Sequence, residues 1–384
     1  MDNKTFTKKT LLIITSSFPY GMSEAFITKE LELLSKDYEI IVMPIYPRGE
    51  MQDYSVLSLV RIFNWSCNLR GFFYFPFRII SNINLFTSSF KHSMHNLAAI
   101  FVSSCISNPK IKFDHIHAHF ASAPSTLAML LSKYKSKSWS FTAHRWDIYD
   151  GNCFKIKNRT VSFVRAISYL GSEHLAKRGF FKEKIIVERL PIGSLKSTVK
   201  NKKTNTFLFP ANLIDVKGHL NFLRLSKDCL LQNDIKIHLA GDGPLKDQIN
   251  KFLHSNNLSN SVKLLGHVNQ QVLHDNLKKG IYDCVMLPSL DLGAGLHEGV
   301  PASLLEAITH GVPVVASNTG SIPELFNNGK SCDWIFDPTN KKELVDSILY
   351  IISNSRLELY DNQISSLNPE FLNFNLNNIF KQHI

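Results

Sequence analysis

The chain has 384 residues, of which 44% are hydrophobic and 20% are charged. This composition excludes a disordered polymer, and the length, more than twice a typical domain of about 150 residues, predicts two or three domains. The net charge of +11 is uneven: residues 1–190 hold 25 Lys and Arg against 14 Asp and Glu, whereas residues 191–384 hold 18 of each. The basic first half therefore predicts an anionic partner, such as a membrane surface, a phosphate-bearing substrate or a nucleic acid.

Apolar strand-like runs alternate with helix-period segments in the first half of the chain. Residues 11–16 have the pattern of a buried strand, and residues 23–36 follow with apolar residues at helical spacing and Ser23 as a candidate N-cap. The apolar run has no small-residue cleavage site after it, so we expect a first strand and not a signal peptide. Further strands are predicted at residues 38–45, 113–120, 138–144, 160–168 and 184–190.

The second half repeats this rhythm, with each predicted strand leading into a helix. The predicted strands are 206–212, 235–241, 261–266, 282–288 and 312–317, and the predicted helices are 217–231, 244–255, 268–279, 300–310 and 321–327. Strands that alternate with helices form parallel sheets covered on both faces. The expected fold class is therefore α/β, with two doubly wound, Rossmann-like domains that face a cleft and bind ligands at the carboxyl ends of their strands.

A polar, Lys-rich segment at residues 193–206 is the predicted linker between these domains. We expect an N-terminal domain at 1–192, a C-terminal domain at 207–364, and a last segment at 365–384 whose helix returns to the N-terminal domain. Residues 57–107 interrupt the first domain with many aromatic residues and no acidic one. Such a segment suits an interfacial helix among anionic headgroups, or a helical insertion whose aromatic side chains pack inward. Its basic residues, expected at the membrane, include Arg61, Arg70, Arg78 and Lys91.

The cysteines and the hydropathy pattern indicate in which cellular compartment the protein is expected. No two cysteines have the C-x-x-C spacing of zinc or redox motifs, so we expect reduced, mostly buried thiols in a cytoplasmic protein. No stretch offers the ~18 consecutive apolar residues of a spanning helix, so any membrane contact is expected to be peripheral. The cysteines are Cys67, Cys105, Cys153, Cys229, Cys284 and Cys332.

The most specific pattern for chemistry lies in residues 296–326. Glu298 and Glu306 flank a predicted helix start, where Gly299 and Pro301 turn the chain and exposed amides can bind an anion. The two glutamates are eight residues apart and are expected on nearly the same helix face, where they can accept hydrogen bonds from a diol. Two carboxylates beside an anion site suit a nucleotide-sugar, although a bare glutamate pair near a helix is most often solvated.

This segment resembles the nucleotide-sugar signature of the family 4 retaining glycosyltransferases, which have the GT-B fold. The resemblance is to members that build exopolysaccharide, O-antigen or other lipopolysaccharide chains, and it covers about residues 10–340 in family order. The joint order and spacing of the segments are more specific than any single motif. The matching segments are FPYGMSEAFITKELELL (18–34), HAHFASAP (117–124), SFTAHRWDIY (140–149), AISYLGSEHL (166–175), KGH (217–219), AGDGPLKDQI (240–249), LLGHV (264–268) and MLPS (286–289).

The resemblance implies a role for individual positions. Glu298 would hold hydroxyls of the donor sugar, Glu306 the ribose, and Lys217 would neutralise the donor diphosphate. His144 would face the reacting carbon, so His144 and Glu298 are the candidate catalytic residues. Taken without the resemblance, Lys217 would be interpreted as a surface lysine at a helix start and His144 as structural. The other implied donor-binding residues are Gly21, Asn212, Gly266, His267, Gly299 and Val300.

Asn212 departs from the family, which has an arginine five residues before the phosphate lysine, and Arg145 is a candidate substitute. No D-x-D metal motif is present, because the spacing in DIYD (147–150) is wrong. We therefore expect neither a metal nor a cofactor, with Lys217, amides and helix dipoles stabilising the leaving diphosphate. The resemblance implies that the donor's own phosphate oxygen accepts the acceptor's proton. A covalent intermediate stays open, and Asp147 is interpreted as structural.

These features favour an enzyme that moves a sugar from a nucleotide-sugar to a growing lipid-linked acceptor, with the basic first domain on the anionic inner face of the cell membrane. One alternative is a soluble sugar synthase of the sucrose or glycogen type, against which the aromatic segment 57–107 argues. Another is a non-catalytic sugar-nucleotide-binding protein. No motif of nucleic-acid recognition is present, so we expect no nucleic-acid partner.

Overall fold

The structure is a computed structural model that describes residues 8–21, 24–66, 68–87, 90–106, 111–193, 195, 203–327, 329 and 332–384. The chain divides into two compact units, one formed by Met1–Pro191 with Asn373–Ile384 and the other by Ile192–Leu372. Ser23, Cys67 and most of the predicted linker lie outside the described residues. The other five cysteines are buried, as the sequence predicted, and no disulfide joins them.

A parallel sheet forms the centre of the first unit. Its described strands are β1 (Thr10–Thr15), β2 (Glu39–Pro44), β3 (Arg61–Ile62), β4 (His115–His119), β5 (Ser138–Ala143), β6 (Phe163–Ala166) and β7 (Ile185–Val187). They pair in the order β3-β2-β1-β4-β5-β6-β7. The helices are α1 (Ile27–Leu34), α2 (Leu69–Ser81), α3 (Asn84–Thr87), α4 (Ser93–Cys105), α5 (Ala123–Lys135), α6 (Trp146–Asp150), α7 (Phe154–Thr160), α8 (Tyr169–Lys177) and, at the end of the chain, α15 (Leu376–His383).

Both faces of this sheet are buried, because successive side chains of a strand point to opposite sides. Leu12 of β1 belongs to a core cluster that includes residues of α4 and α5. Its neighbour Leu11 belongs to a second cluster with Leu31 of α1 and Phe380 of α15. The sheet therefore has one face toward α4 and α5 and the other toward α1 and α15.

The second unit contains another parallel sheet, in the order β10-β9-β8-β11-β12-β13. Its strands are β8 (Thr206–Pro210), β9 (Lys236–Ala240), β10 (Val262–Gly266), β11 (Cys284–Leu287), β12 (Val314–Ser317) and β13 (Ile335–Phe336). Its helices are α9 (His219–Gln232), α10 (Lys246–Ser255), α11 (Gln270–Lys279), α12 (Ala302–Thr309), α13 (Lys341–Ser353) and α14 (Arg356–Ser366). The predicted fold class, two doubly wound α/β units, is confirmed.

Two predicted helices are shorter in the structure. The helix expected at 23–36 spans only Ile27–Leu34, because Glu24 instead accepts hydrogen bonds from the backbone of Ser17 and Phe18, at 3.0 and 3.2 Å. The helix expected at 321–327 is a single 3₁₀ turn, Ile322–Leu325. It ends there because Phe326 leaves the turn to form an isolated antiparallel bridge with Leu367.

The aromatic segment 57–107 contains both packed and exposed aromatic side chains. Phe63, Trp65, Phe75 and Phe86 pack against the core of the first unit. No described helix is long and apolar enough to cross a bilayer. Other side chains of α2 are exposed on one side of the helix, and we call this set the α2 patch: Leu69, Arg70, Phe73, Phe77 and Ile80.

Arg78 is half-buried and lines a cavity with Leu69, Arg70 and Phe73 of the α2 patch, so its place at a membrane stays a prediction. Its guanidinium lies over the ring of Tyr134, 3.9 Å from the ring centre, and donates to the hydroxyl of Ser103 at 3.1 Å. Lys91 is exposed but forms an ion pair with Asp150 at 2.6 Å. Arg61 and Arg70 are exposed, as the sequence predicted.

Candidate active site

Two loops at the carboxyl ends of β8 and β11 bring Lys217 and Glu298 together. Lys217 closes a 3₁₀ turn, Asp215–Lys217, and its Nζ forms an ion pair with Oε1 of Glu298. The hydroxyl of Ser289, just after β11, donates to the same carboxylate oxygen at 2.8 Å. The side chain of Glu298 is 6% exposed and that of Lys217 is 21% exposed, so the pair is partly desolvated but still reachable from solvent.

The backbone of Glu298 is held closely from the side of β12. Its carbonyl oxygen accepts hydrogen bonds from the N–H of Ser321 at 3.2 Å and from Nδ1 of His297 at 2.8 Å. Gly320 has a φ of +55°, and a Cβ built on it would lie 1.9 Å from that carbonyl oxygen. Glycine is therefore required at position 320 for this placement of Glu298.

Glu306 lies apart from this pair, and the predicted shared helix face is wrong. Glu298 precedes α12, which begins at Ala302 after an extended Pro301, so only Glu306 is on the helix. Oε1 of Glu306 accepts a hydrogen bond from Nε2 of Gln270 at 2.8 Å, and its Oε2 lies 3.2 Å from Nε2 of His274. The half-buried Glu306 can still accept hydrogen bonds from a ribose diol.

The remaining predicted donor-binding residues of the second unit lie on loops that follow strands. Asn212 is exposed after β8. Gly266 ends β10 with a φ of +67°, and its carbonyl accepts the N–H of Gly241 at 2.8 Å, with the exposed His267 next in the chain. Gly299 and the buried Val300 connect Glu298 to α12.

The first unit holds the other two predicted residues. Gly21 has a φ of +70°, and its N–H donates to the carbonyl of Glu50 at 3.2 Å. His144 follows β5 and is buried, with its ring 4.9 Å from that of Phe26 and 4.7 Å from that of Phe120. Burial, with the charge of the nearby Arg165, lowers the pKa of His144 well below its ordinary value. The imidazole is therefore neutral near pH 7.

Asp147 fixes the loop that carries His144. Its carboxylate accepts N–H groups of Ala121 at 2.7 Å, His144 at 3.0 Å and Arg145 at 2.8 Å, which ties the ends of β4 and β5 together. A buried carboxylate that already accepts three hydrogen bonds is poorly available as a nucleophile. Its structural interpretation agrees with this geometry.

Sequence reasoning did not single out a buried charged cluster in the same unit. Ligand atoms of Glu30, His117 and His119 lie within 4.8 Å of one another. Burial would raise the pKa of Glu30, but Arg165 and His119 outweigh it and lower that pKa, so the carboxylate is ionised. Arg165 is bound to Glu30, and both ring nitrogens of His117 are bonded to hydroxyls, which disfavours a metal cation at this cluster. The alternating pattern HIHAH (115–119) is the sequence feature that could have indicated this cluster.

Two doubly wound parallel units with charged loops at their strand ends define the GT-B class of fold. Residues 194–366 match the model of the family Glycosyl transferases group 1. The matched residues make up most of the second unit.

The chain is also similar to curated proteins with glycosyltransferase designations. The chain is 23% identical over 289 residues to a 2-deoxystreptamine N-acetyl-D-glucosaminyltransferase from Niallia circulans, covering 65% of this chain and 69% of that relative. It is 29% identical over 203 residues to the amylovoran biosynthesis glycosyltransferase AmsK from Erwinia amylovora, covering 50% of this chain and 48% of AmsK. The chain thus spans about half of the length of AmsK.

A solved structure of similar fold is that of HepE from Anabaena in complex with UDP and glucose. Its TM-score is 0.65 at 15% identity, covering 97% of this chain and 100% of HepE. At this identity the likeness establishes the fold.

Proposed function

We propose that this chain is a retaining glycosyltransferase that moves a sugar, of the hexose class, from a nucleotide-sugar to a growing lipid-linked acceptor in cell-surface polysaccharide biosynthesis. The observation that carries the proposal is the Lys217–Glu298 ion pair at the carboxyl ends of β8 and β11. It lies within the residues that match the family, where a doubly wound sheet binds its ligands. The designation of AmsK supports the polysaccharide, and the UDP and glucose bound to HepE support the donor.

Donor binding exchanges the ion pair for new contacts. Lys217 turns its ammonium to the diphosphate, and Glu298, still held by Ser289 and by its backbone, accepts hydrogen bonds from sugar hydroxyls. Glu306 accepts the ribose hydroxyls, with Gln270 and His274 holding its carboxylate. The loop of Gly266 and His267 frames the nucleobase. The exposed Asn212 leaves one fewer cation at the diphosphate than the family's arginine would give.

The chemistry proceeds on one face of the sugar. The bond between the anomeric carbon and the diphosphate oxygen breaks, the acceptor oxygen bonds to the same face, and its proton goes to an oxygen of the leaving diphosphate. Lys217 and backbone amides stabilise the charge that develops on that diphosphate without a metal ion. The engagement of Asp147 with three N–H groups supports this course over a covalent intermediate. His144 is the proposed residue at the reacting carbon.

The acceptor is held by the first unit, which also contacts the anionic inner face of the cell membrane. The α2 patch presents Phe73, 67% exposed, and Phe77, 61% exposed, beside the exposed Arg70. Exposed aromatic and basic side chains on one helix face suit the boundary between headgroups and acyl chains. The net charge of residues 1–190 has the matching sign.

The test is an assay of donor hydrolysis over a panel of nucleotide-sugars, followed by mass detection of the product on a lipid-linked acceptor. One donor should be turned over by the native protein and not by Lys217→Ala. The matched control is Lys246→Ala, which removes a lysine of the same unit from an exposed ion pair with Asp242. Donor binding without turnover over the whole panel would favour a non-catalytic sugar-nucleotide-binding protein. Turnover onto a soluble sugar only would favour a soluble synthase.

A further inference from the structure

Alternation along two strands of the first unit places a row of polar side chains on the face toward α1 and α15. Ile116 and Ala118 of β4 belong to the core cluster with α4 and α5, so His115, His117 and His119 point to the opposite face. On β5, the same alternation turns Ser140 and Thr142 toward these histidines. Both ring nitrogens of His115 and of His117 bond to hydroxyls at 2.7–2.8 Å.

His119 breaks this pattern because both of its ring nitrogens face other ionisable groups. Its Nδ1 lies 3.3 Å from Nε2 of His144, and its Nε2 lies 3.3 Å from Oε1 of Glu30. The other oxygen of Glu30 is bound by Nη1 of Arg165. Four side chains therefore form a line from Arg165 through Glu30 and His119 to His144, and all four are buried.

Arg165 is fixed at the start of this line. Its Nε donates to the carbonyl of Glu188 at 2.9 Å, and its Nη2 donates to the carbonyl of Arg189 at 2.7 Å. The guanidinium has only donors and the ionised carboxylate has only acceptors. An unprotonated nitrogen of His119 would turn its lone pair to the carboxylate of Glu30 at 3.3 Å, so the nitrogen that faces Glu30 carries the proton.

From this geometry we infer that Arg165, Glu30 and His119 are positioning residues that fix the tautomer of His144. The inference rests on the proposed role of His144. Arg165 already balances the charge of Glu30, so a second proton on His119 would leave an unbalanced positive charge in the interior. A neutral His119 with its proton on Nε2 offers a lone pair at Nδ1, and Nε2 of His144 must donate to it. Nδ1 of His144 is then left as an acceptor for a hydroxyl of the donor sugar.

The inference is tested first on the native protein, by nitrogen NMR of ring-labelled histidine. The signals of His144 are assigned from their loss in a His144→Asn variant. The expected result is a protonated Nε2 and an unprotonated Nδ1, because the two kinds of ring nitrogen resonate far apart. A protonated Nδ1 with an unprotonated Nε2, an even mixture of the two tautomers, or a doubly protonated ring would each overturn the inference, whether or not a sugar is transferred.

Two variants of the neighbouring histidine then separate positioning from packing. In His119→Asn the amide oxygen can replace Nδ1 as the acceptor for His144, whereas His119→Phe keeps an aromatic ring and removes the acceptor. We expect the Phe variant to lose the single tautomer and at least about tenfold in kcat, with the Kd for the nucleoside diphosphate unchanged. The Asn variant should keep the tautomer and most of kcat.

Equal loss of kcat in both variants with an unchanged tautomer would mean that His119 only fills space, and the inference would fail. If the Phe variant does not fold, the tautomer of His144 in the native protein and in the Asn variant still tests the inference. Failure of the proposed function looks different: the native protein would turn over no nucleotide-sugar, or the His144→Asn variant would transfer sugar as fast as the native protein, while the tautomer of His144 could still be the expected one.

Discussion

Glu298 has three kinds of restraint: an ion pair with Lys217, a hydrogen bond from Ser289, and a backbone held by Ser321 and His297. Glu298→Gln keeps the shape and the Ser289 contact but removes the charge. A hydrogen bond to a charged group contributes about 1.5–3 kcal/mol. We therefore expect transfer at saturating donor to fall by about 10- to 100-fold, measured as kcat, with an unfolding temperature close to that of the native protein.

The control for Glu298→Gln is Asp275→Asn, which removes an exposed carboxylate of the same unit. It should leave kcat unchanged. Near-normal turnover by Glu298→Gln would contradict the assignment of this carboxylate to the sugar.

Gly320 supports Glu298 without contacting the donor itself. Ala at position 320 would place Cβ 1.9 Å from the carbonyl of Glu298, so the loop has to move. Gly320→Ala should lower both the unfolding temperature and the activity. Gly293→Ala is the matched control, because Gly293 also has a positive φ, +75°, but no atom within 4 Å of the new Cβ. Equal effects of the two substitutions would show that backbone strain, and not the contact with Glu298, is responsible.

Buried histidines make the stability of the first unit depend on pH. Burial lowers the pKa of His115 from 6.5 to about 3, and it lowers the pKa of His117 and His144 well below 6.5. The folded state keeps these rings neutral, whereas the unfolded chain protonates them below about pH 6.5. The unfolded state then binds more protons, so the free energy of unfolding falls as pH decreases below 6.5, by up to about 1.4 kcal/mol per pH unit for each histidine.

Urea unfolding between about pH 7.5 and 5 measures this slope above the range in which carboxylates titrate. His115→Gln should reduce the slope, whereas His95→Gln, at an exposed position, should leave it unchanged. A stability that does not vary over this range would mean that the histidines are accessible to protons in the folded state.

At the scale of elements, one side of α2 packs against the protein and the other side is exposed to solvent. Gly71 packs so closely on Cys105 that a Cβ would lie 2.7 Å from its sulfur, whereas Phe77 on the other side is exposed. Insertion of one aromatic ring into a bilayer is worth about 1.5–3 kcal/mol when burial is complete. Phe77→Ser should therefore weaken binding to anionic vesicles by about tenfold or more in a flotation assay.

Phe181→Ser is the control for this helix, because Phe181 is a similarly exposed ring of the same unit outside the α2 patch. It should leave flotation unchanged. If the native protein, Phe77→Ser and Phe181→Ser bound anionic vesicles equally, the α2 patch would not be part of the membrane contact.

Strands and long helices could be predicted from the sequence because their patterns are local. Buried strands such as 113–120 contain the observed His115–His119, and the helix predicted at 217–231 is observed as His219–Gln232. The errors arise where a distant contact decides. The helix expected at 321–327 ends early because Phe326 pairs with Leu367, and this contact across 41 positions is not part of any local sequence pattern.

At the scale of the molecule, the candidate site was predictable only in part for the same reason. The resemblance placed Lys217 and Glu298 in one signature, and the structure joins them across 81 positions. The line from Arg165 to His144 could not be read from the sequence, because it joins α1, β4 and β6 with the loop after β5. Sheet order, which the sequence does not contain, makes those residues neighbours.

The distribution of charge gives a last prediction, for the whole chain. All of the net charge lies in residues 1–190, whereas residues 191–384 are balanced. Salt screens exposed charges over about 10 Å at 0.1 M, and each basic residue near an anionic surface contributes about 1 kcal/mol. Raising NaCl from about 0.05 to 0.5 M should therefore release most of the protein from anionic vesicles, with no binding to neutral vesicles at either concentration.

Donor binding should respond differently to the same change of salt. Lys217 and Glu298 are partly desolvated, and buried or partly buried charges are screened much less than exposed ones. The Kd for the nucleotide-sugar, measured by calorimetry without vesicles, should therefore change much less than vesicle binding over this range. If added salt weakened donor binding as much as vesicle binding, the proposed separation of the two binding surfaces would be contradicted. One shared basic surface would then bind the membrane and the diphosphate.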